Sequence, residues 1–166
     1  LFSEIGEPYY RRFGFEPVPI EEVTIELIPK SGTPAMRVRA GADRDLPDLA
    51  AMHVVRSASS RFTLRRDAAQ IHYALSKKRL FSGLGAAGLR HTEFFAAEEG
   101  SSAVAYVVIS VSGDQWPIEE AGDRDPAGAR LGAMLQVLVA REPSRRRPVI
   151  SALWPAVFHL TPAVRT

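Results

Sequence analysis

The pattern of apolar and polar residues between His91 and Pro143 predicts three consecutive strands followed by one helix. Residues 103–109 form an almost unbroken apolar run, which is typical of a central strand buried on both faces. Shorter strands are predicted on either side of it, at 92–98 and 115–121. Pro117 marks an edge or a bulge in the second of these, because proline cannot donate a backbone hydrogen bond.

A helix is predicted from about Pro126 to Glu142, directly after the third strand. Asp125 can cap its N-terminus, proline suits the first helical position, and Pro143 ends the helix. Apolar residues recur at helical spacing, so one face should pack on the sheet. These residues are Leu131, Met134, Leu135 and Leu138.

The rest of the chain supplies further strands and helices. Strands are predicted at 23–28, 36–40 and 148–154, and helices at 8–13, from about 43 to 57 and from about 66 to 81. The strand at 148–154 should run parallel to the one at 115–121, because a helix connects them, and the two should splay apart at their ends. The pattern therefore predicts an α/β (α+β) fold with a mixed central sheet flanked by helices.

Composition narrows the range of functions. The chain has 166 residues, of which 46% are apolar, and this is enough for the core of one ordinary domain. Its net charge of +2 argues weakly against nucleic-acid binding. No cysteine is present, so disulfides, thiolate metal sites and cysteine nucleophiles are excluded, and no metal site is predicted. No stretch approaches the ~20 apolar residues of a membrane span.

Two glycine-bearing stretches are candidate phosphate sites. Residues 83–88 match the pattern G-x-G-x-x-G, but a helix is predicted before them and a strand after them, which is the reverse of a dinucleotide-binding motif. A Rossmann-type nucleotide binder is therefore the weakest alternative. The turn at 122–132 has the opposite context, strand then helix, where unpaired N–H groups and the helix dipole attract anions.

Two stretches resemble the GNAT acetyltransferase superfamily. Residues 10–15, Tyr-Arg-Arg-Phe-Gly-Phe, are similar to the Tyr-x-x-Leu-Gly-Phe ending of that family, and residues 1–6 before them fit its late strand. From Met36 onward, the order of strands and helices resembles the first two thirds of a GNAT domain. Val38-Arg39 followed by the sequence Asp-Leu-Pro-Asp-Leu at 45–49 is typical of its opening.

This order of parts, late elements first, implies a tandem protein that resembles fungal lysine N-acetyltransferase-like proteins. Residues 1–35 are then the C-terminal part of a first GNAT domain, and residues 36–166 are a second, truncated one. In the alternative arrangement, residues 1–35 fill the gap left by the missing end of the second domain, as in a circular permutant.

The resemblance implies an N-acetyltransferase that uses acetyl-CoA as cosubstrate. The family loop reads Arg-Gly-x-Gly-Ile-Gly, with a leucine three residues on. Gly128, Leu131, Gly132 and Leu135 match it, whereas Ala127 and Arg130 depart from it. An arginine at 130 either obstructs the pyrophosphate or donates to it. The residues expected to bind the cofactor are Ile118, Arg124, Gly128, Arg130, Leu131 and Gly132.

The same resemblance implies the catalytic groups. Glu119 or Glu120 is the expected general base, one facing the cleft and the other facing away because strand neighbours alternate, and Tyr10 is the expected acid for the leaving thiolate. The resemblance implies that the acceptor is a small-molecule or peptide amine. It also implies a cytoplasmic enzyme that can form a homo-oligomer and that has no nucleic-acid or membrane partner. Activity is expected of the full-length protein rather than of these residues alone; the alternative is a non-catalytic GNAT-like domain that stabilises or binds a partner.

Overall fold

The computed structural model describes residues 6–16, 21–27, 36–58, 63–86, 89–142, 148–154 and 164–165. Residues 1–5, Ile28 and Pro143, which carried parts of the sequence argument, lie outside these ranges. The helices are α1 (Glu7–Arg11), α2 (Leu46–Ser57), α3 (Ala68–Gly83) and α4 (Leu131–Arg141). The strands are β1 (Glu21–Leu27), β2 (Arg37–Ala40), β3 (His91–Glu99), β4 (Ser102–Val111), β5 (Gln115–Asp123), β6 (Val149–Trp154) and β7 (Val164–Arg165).

The strands form one mixed sheet in the order β2-β3-β4-β5-β6-β1-β7. β5 and β6 are parallel, with Trp116 opposite Ile150, whereas the other neighbouring strands pair antiparallel. A mixed α/β sheet flanked by helices was predicted, and so was the parallel pair; both are confirmed.

Helices cover both faces of the sheet. On one face, α2 and α3 bury Leu49, Met52 and Ile71 against alternate residues of β4, including Tyr106 and Val108. On the other face, α4 packs against the remaining β4 side chains and against β1, β5 and β6. Its buried residues there are Leu131, Met134, Leu135 and Leu138. β4 is therefore buried on both sides, as its continuous apolar run predicts.

The predicted start of the last helix is wrong: α4 begins at Leu131, not at Pro126. The Asp125 side chain accepts the Ala127 N–H at 2.9 Å, and the Asp125 carbonyl accepts the Gly128 N–H at 2.9 Å. Gly128 has φ +67°, a conformation that side chains disfavour. Asp125 and Pro126 thus build a tight turn ahead of the helix rather than its cap.

Strand β1 joins the sheet of the later elements. It pairs with β6 over five residue pairs, from Glu21 opposite Trp154 to Ile25 opposite Ile150. Ile25 is buried in the same core as α4. Residues 21–27 therefore complete the sheet built mainly by residues 36–154, whereas the division of the full-length chain at residue 35 stays a prediction.

Candidate functional site

A β-bulge interrupts β5 where the sequence places the candidate carboxylates. Val108 of β4 lies opposite Glu120, but the next β4 residue, Ile109, lies opposite Ile118, so Glu119 is the extra residue. Such a residue is left out of the ladder and bends the strand. The bulge predicted from Pro117 is confirmed, two residues beyond the proline itself.

The bulge places both glutamates on the same face of the sheet. Glu119 accepts a hydrogen bond from the Ser110 hydroxyl at 2.8 Å, and Glu120 accepts one from the Tyr106 hydroxyl at 2.6 Å. Tyr106 and Ser110 are four residues apart in β4 and therefore share a face, the one covered by α2 and α3. The expectation that one glutamate faces away from the other is wrong, because the extra residue shifts the alternation by one.

Glu120 is held in a buried network. Besides Tyr106, the Arg66 guanidinium Nη1 donates to both Glu120 oxygens at 2.9 Å. Burial alone would raise the pKa of Glu120, but the hydrogen bonds from Tyr106 and Arg66 and the charges of Arg66 and Arg56 outweigh burial and lower it. Burial and the Glu120 charge raise the pKa of Tyr106 well above its usual value near 10. Glu120 thus ties the segment that leads into α3 to the bulge.

Glu119 is the more accessible carboxylate. It accepts hydrogen bonds from Lys78 Nζ and from the Ser110 hydroxyl, both at 2.8 Å, and 25% of its side-chain surface stays exposed. Burial alone would raise the pKa of Glu119, but these two hydrogen bonds and the charges of Lys78 and Arg90 lower it. A proton acceptor at this position is therefore ionised at neutral pH and open to a ligand from one side.

That side is an open pocket of about 430 Å³ between α3 and the adjoining parts of β3, β4 and β5. Thr92 and Ser110 line it from within the core, and their hydroxyl oxygens lie 3.0 Å apart. Because the Ser110 proton is donated to Glu119, Thr92 must donate to Ser110. The pocket therefore opens Glu119 to solvent, and at its inner end a hydrogen-bonded chain runs from Thr92 through Ser110 to Glu119.

On the other side of β5, its parallel pairing with β6 ends early. The last pair described is Ile118 opposite Ala152, whereas β5 continues to Asp123. Backbone groups of β5 beyond Ile118 are thus left without β6 as a partner in the described part of the chain, although the Ala121 carbonyl accepts from Arg56 at 3.0 Å. The predicted parting of these two strands stays a prediction, because β6 extends only two residues beyond the last pair, to Trp154.

The loop between β5 and α4 contains its own anion. The Asp123 carboxylate accepts the Asp125 N–H and the Arg130 N–H, each at 2.8 Å, and only 1% of this side chain is exposed. N–H groups at this position are what a pyrophosphate would need. As it stands, the loop does not fit a pyrophosphate, because a buried carboxylate already occupies these donors.

Arg130, the main departure from the family pattern, is the counter-ion of this loop. Its Nη1 donates to Asp123 at 2.9 Å and its Nε to Glu99 at 3.0 Å. Burial alone would lower the pKa of Arg130, but its hydrogen bonds to Glu99 and Asp123 raise it. Neither sequence-based role, obstruction or phosphate donor, includes this function of neutralising Asp123.

The other predicted cofactor residues lie around the same loop, where one is paired with a carboxylate and the others are buried. Arg124 donates through Nη2 to Asp48 of α2 at 2.7 Å. Leu131 and Gly132 are buried in the first turn of α4, and Ile118 is buried in the core beside that helix. The predicted set is thus brought together in space, but much of it packs or pairs internally.

Tyr10 lies in an aromatic cluster of its own segment. Its ring centroid is 5.2 Å from that of Tyr9 and 6.0 Å from that of Phe15. The described hydrogen-bond partners of Glu119 and Glu120 come instead from α3, β4 and the segment before α3. The role of Tyr10 as an acid stays a prediction.

Sequence reasoning missed three residues that organise the site: Tyr106, Arg66 and Asp123. Tyr106 was counted only as part of an apolar run, and Arg66 gives no local signal of a partner more than fifty residues away. Asp123 had a readable signal, because an aspartate side chain in a turn commonly accepts a hydrogen bond from the backbone N–H two residues later.

Comparisons with known proteins give weak likenesses. No protein-family model and no curated protein matches the chain. It is similar to the structure of a GNAT superfamily phosphinothricin acetyltransferase from Sinorhizobium meliloti in complex with acetyl-CoA, with 15% identity and a TM-score of 0.46 over 64% of this chain and 58% of that one. It is also similar to the structure of a functionally unknown conserved protein from Staphylococcus epidermidis, with 12% identity and a TM-score of 0.46 over 92% of this chain and 57% of that one.

The chain therefore spans less than two thirds of the length of either structure. At such values neither likeness carries an activity over to it. In the described ranges, no helix is long and apolar enough to cross a membrane.

Proposed function

We propose that the full-length protein is an N-acetyltransferase that moves an acetyl group from acetyl-CoA to an amine acceptor, either a small molecule or a peptide. The observation that carries this proposal is the end of the parallel pairing of β5 with β6 at Ile118, immediately before the bulge at Glu119 and Glu120. A ligand lying in such a gap can meet backbone N–H groups of β5, which are the kind of donors that stabilise a developing oxyanion.

Glu119 is the better candidate for the general base. Its oxygens accept from Lys78 and Ser110, but it is ionised, 25% exposed and reached from a pocket. The Glu120 side chain is only 11% exposed, and both of its oxygens accept from Arg66. A positioned base typically contributes about 10²–10⁴-fold to a proton-transfer step. Tyr10 remains the proposed acid for the thiolate, on the resemblance alone.

A second candidate function is favoured by the loop itself. Because Asp123 occupies the N–H donors ahead of α4, residues 36–166 are also suited to a non-catalytic role, in which they stabilise or bind a partner half. Acetyl-CoA would then be bound by the predicted first domain, and this loop would be purely structural.

Calorimetric titration of the full-length protein with acetyl-CoA, followed by release of free CoA thiol with a panel of amines, tests the first proposal. We expect micromolar binding, turnover with at least one amine, and a loss of about 10²-fold or more in kcat for Glu119→Gln without loss of acetyl-CoA affinity. Absence of acetyl-CoA binding at millimolar concentration would exclude acetyl transfer.

Two loop variants then separate the two candidates. If the loop binds acetyl-CoA, Asp123→Asn removes a competing negative charge and should tighten binding, whereas Arg130→Gly leaves Asp123 unneutralised and should weaken it. If neither variant changes the affinity of a protein that binds acetyl-CoA, the cosubstrate lies elsewhere and the structural role of this domain is supported.

A further inference from the structure

The pocket beside α3 carries more positive than negative charge. Lys77, Lys78 and Arg90 line it together with Glu119. Glu119 is already paired with Lys78 at 2.8 Å and lies 3.7 Å from Arg90. One carboxylate against three cations leaves an excess of positive charge at the mouth of a concave site, and such a site concentrates anions.

The outer wall of the pocket is aromatic. Tyr73 and Phe81 of α3 line it with 68% and 59% of their surfaces exposed. Lys77 Nζ lies 5.8 Å from the centre of the Phe81 ring, within cation–π range, so its ammonium group stays close to the wall. A flat or apolar ligand body can therefore pack on these rings while its charged end meets Lys77 and Arg90.

The inner end of the pocket is polar and fully hydrogen-bonded. Thr92, Ser110 and Glu119 satisfy one another there, so the hydroxyls have no donor left over for an anion. The anionic group must then sit at the cationic mouth rather than at the inner end. A volume of about 430 Å³ lies within the usual ~300–1,000 Å³ range of small-molecule sites.

We propose that this pocket between α3 and the β3–β5 part of the sheet binds a small organic anion, a carboxylate or a phosphate joined to an aromatic or apolar body. The anion contacts Lys77 and Arg90, and the body packs on Tyr73 and Phe81. This proposal does not depend on acetyl transfer, because binding is measured without acetyl-CoA.

The test is an NMR titration of the full-length protein with four compounds of similar shape: phenyl phosphate, phenylacetate, the neutral phenylacetamide and the cationic phenylethylamine. We expect the two anions to shift the backbone amides of Lys77, Phe81 and Arg90 at millimolar concentration, and the neutral compound to bind at least severalfold more weakly. A tighter fit of phenyl phosphate would assign the natural ligand to phosphates, and of phenylacetate to carboxylates. Raising the salt concentration should weaken the binding of the two anions and should not weaken the binding of the neutral compound.

Charge variants locate the site. Lys77→Gln and Arg90→Gln should each weaken anion binding by about 1.5- to 5-fold, as expected for exposed charge pairs. Arg37→Gln is the matched control, because Arg37 is an exposed residue of β2 opposite Glu98, at the end of β3 away from the pocket, and it should leave the affinity unchanged. Glu119→Gln should tighten anion binding by a similar factor, since it removes the one negative charge of the pocket.

Three results would overturn the proposal. These are equal binding of the neutral and anionic compounds, an equal effect of Arg37→Gln and Lys77→Gln, and tighter binding of phenylethylamine than of either anion. The last would mean that Glu119, rather than the surrounding cations, selects the ligand, which would leave the proposed acetyl transfer standing.

Discussion

The substitution Asp123→Asn tests whether a buried carboxylate holds the loop between β5 and α4. The wild-type side chain accepts from two backbone N–H groups and from the Arg130 guanidinium. Asparagine has nearly the same shape but only one acceptor oxygen, so its amide group must face a donor. The change also leaves the partly buried Arg130 with Glu99 as its only described carboxylate partner.

The expected loss follows from burial. Only 1% of the Asp123 side chain is exposed, and removing one partner of a buried ion pair typically costs ~3–5 kcal/mol. Because asparagine keeps one acceptor, we expect the lower end, a loss of about 3 kcal/mol in the free energy of unfolding. For a chain of this size each kcal/mol lowers Tm by ~2–4 °C, so Tm should fall by about 6–12 °C.

Urea unfolding followed by circular dichroism measures this loss as a lower midpoint at unchanged m-value. Asp114→Asn is the matched control, since Asp114 is exposed in the turn before β5, and it should stay within about 0.5 kcal/mol of wild type. Arg130→Gln and the double variant complete a cycle, in which the losses should be less than additive because both residues serve one contact. A loss below about 1 kcal/mol for Asp123→Asn would refute the view that this carboxylate organises the loop.

Three further outcomes can be measured in the same way. Arg39→Ala should lower the free energy of unfolding by about 3–5 kcal/mol, because it leaves the buried Asp45 carboxylate, whose pKa the Arg39 hydrogen bonds lower, without this ion-pair partner. Arg39→Lys keeps the charge and should lower it less, and equal losses would contradict a role for the two-pronged guanidinium contact. Gly122→Ala should lose about 1–3 kcal/mol because its Cβ would lie 2.4 Å from the buried Tyr106 ring, and a neutral result would contradict this packing. Stability should fall below pH ~4.5, where Glu120 is protonated in the unfolded state before the folded state, and above pH ~10, where Tyr106 loses its proton in the unfolded state first. Tyr106→Phe should reduce the loss of stability at alkaline pH, and unchanged stability at both extremes would contradict the pKa directions.

Patterns with a regular period were readable from the sequence. The apolar run at 103–109 predicts β4, and the spacing of Leu131 and Leu138 predicts the buried face of α4, because both depend only on which side chains must leave water. The parallel pairing of β5 with β6 followed from the helix between them. Each of these inferences needs nothing beyond local sequence and general rules of connection.

Details that depend on distant partners were not readable. Asp125-Pro126 is an acceptable helix start, but Asp123 takes up the Arg130 N–H and so fixes a turn there instead. Pro117 indicates a bulge without showing that Glu119 is the extra residue, and this one-residue choice decides which way both glutamates face. The candidate site was therefore located correctly along the chain, whereas its charges and their pairing came only from tertiary structure.

The pairing of β1 with β6 has a consequence for how the protein folds. Pairs such as Ile25 with Ile150 join residues separated by most of the chain, and the entropy of closing so large a loop slows folding. During synthesis, β1 leaves the ribosome long before β6 exists, so Val23 and Ile25 lack their strand partner in the nascent chain. An unpaired strand with alternate apolar residues can associate with other chains through its free backbone groups. We therefore expect chaperone binding and aggregation during expression to depend on β1 more than on any strand whose partner follows it directly.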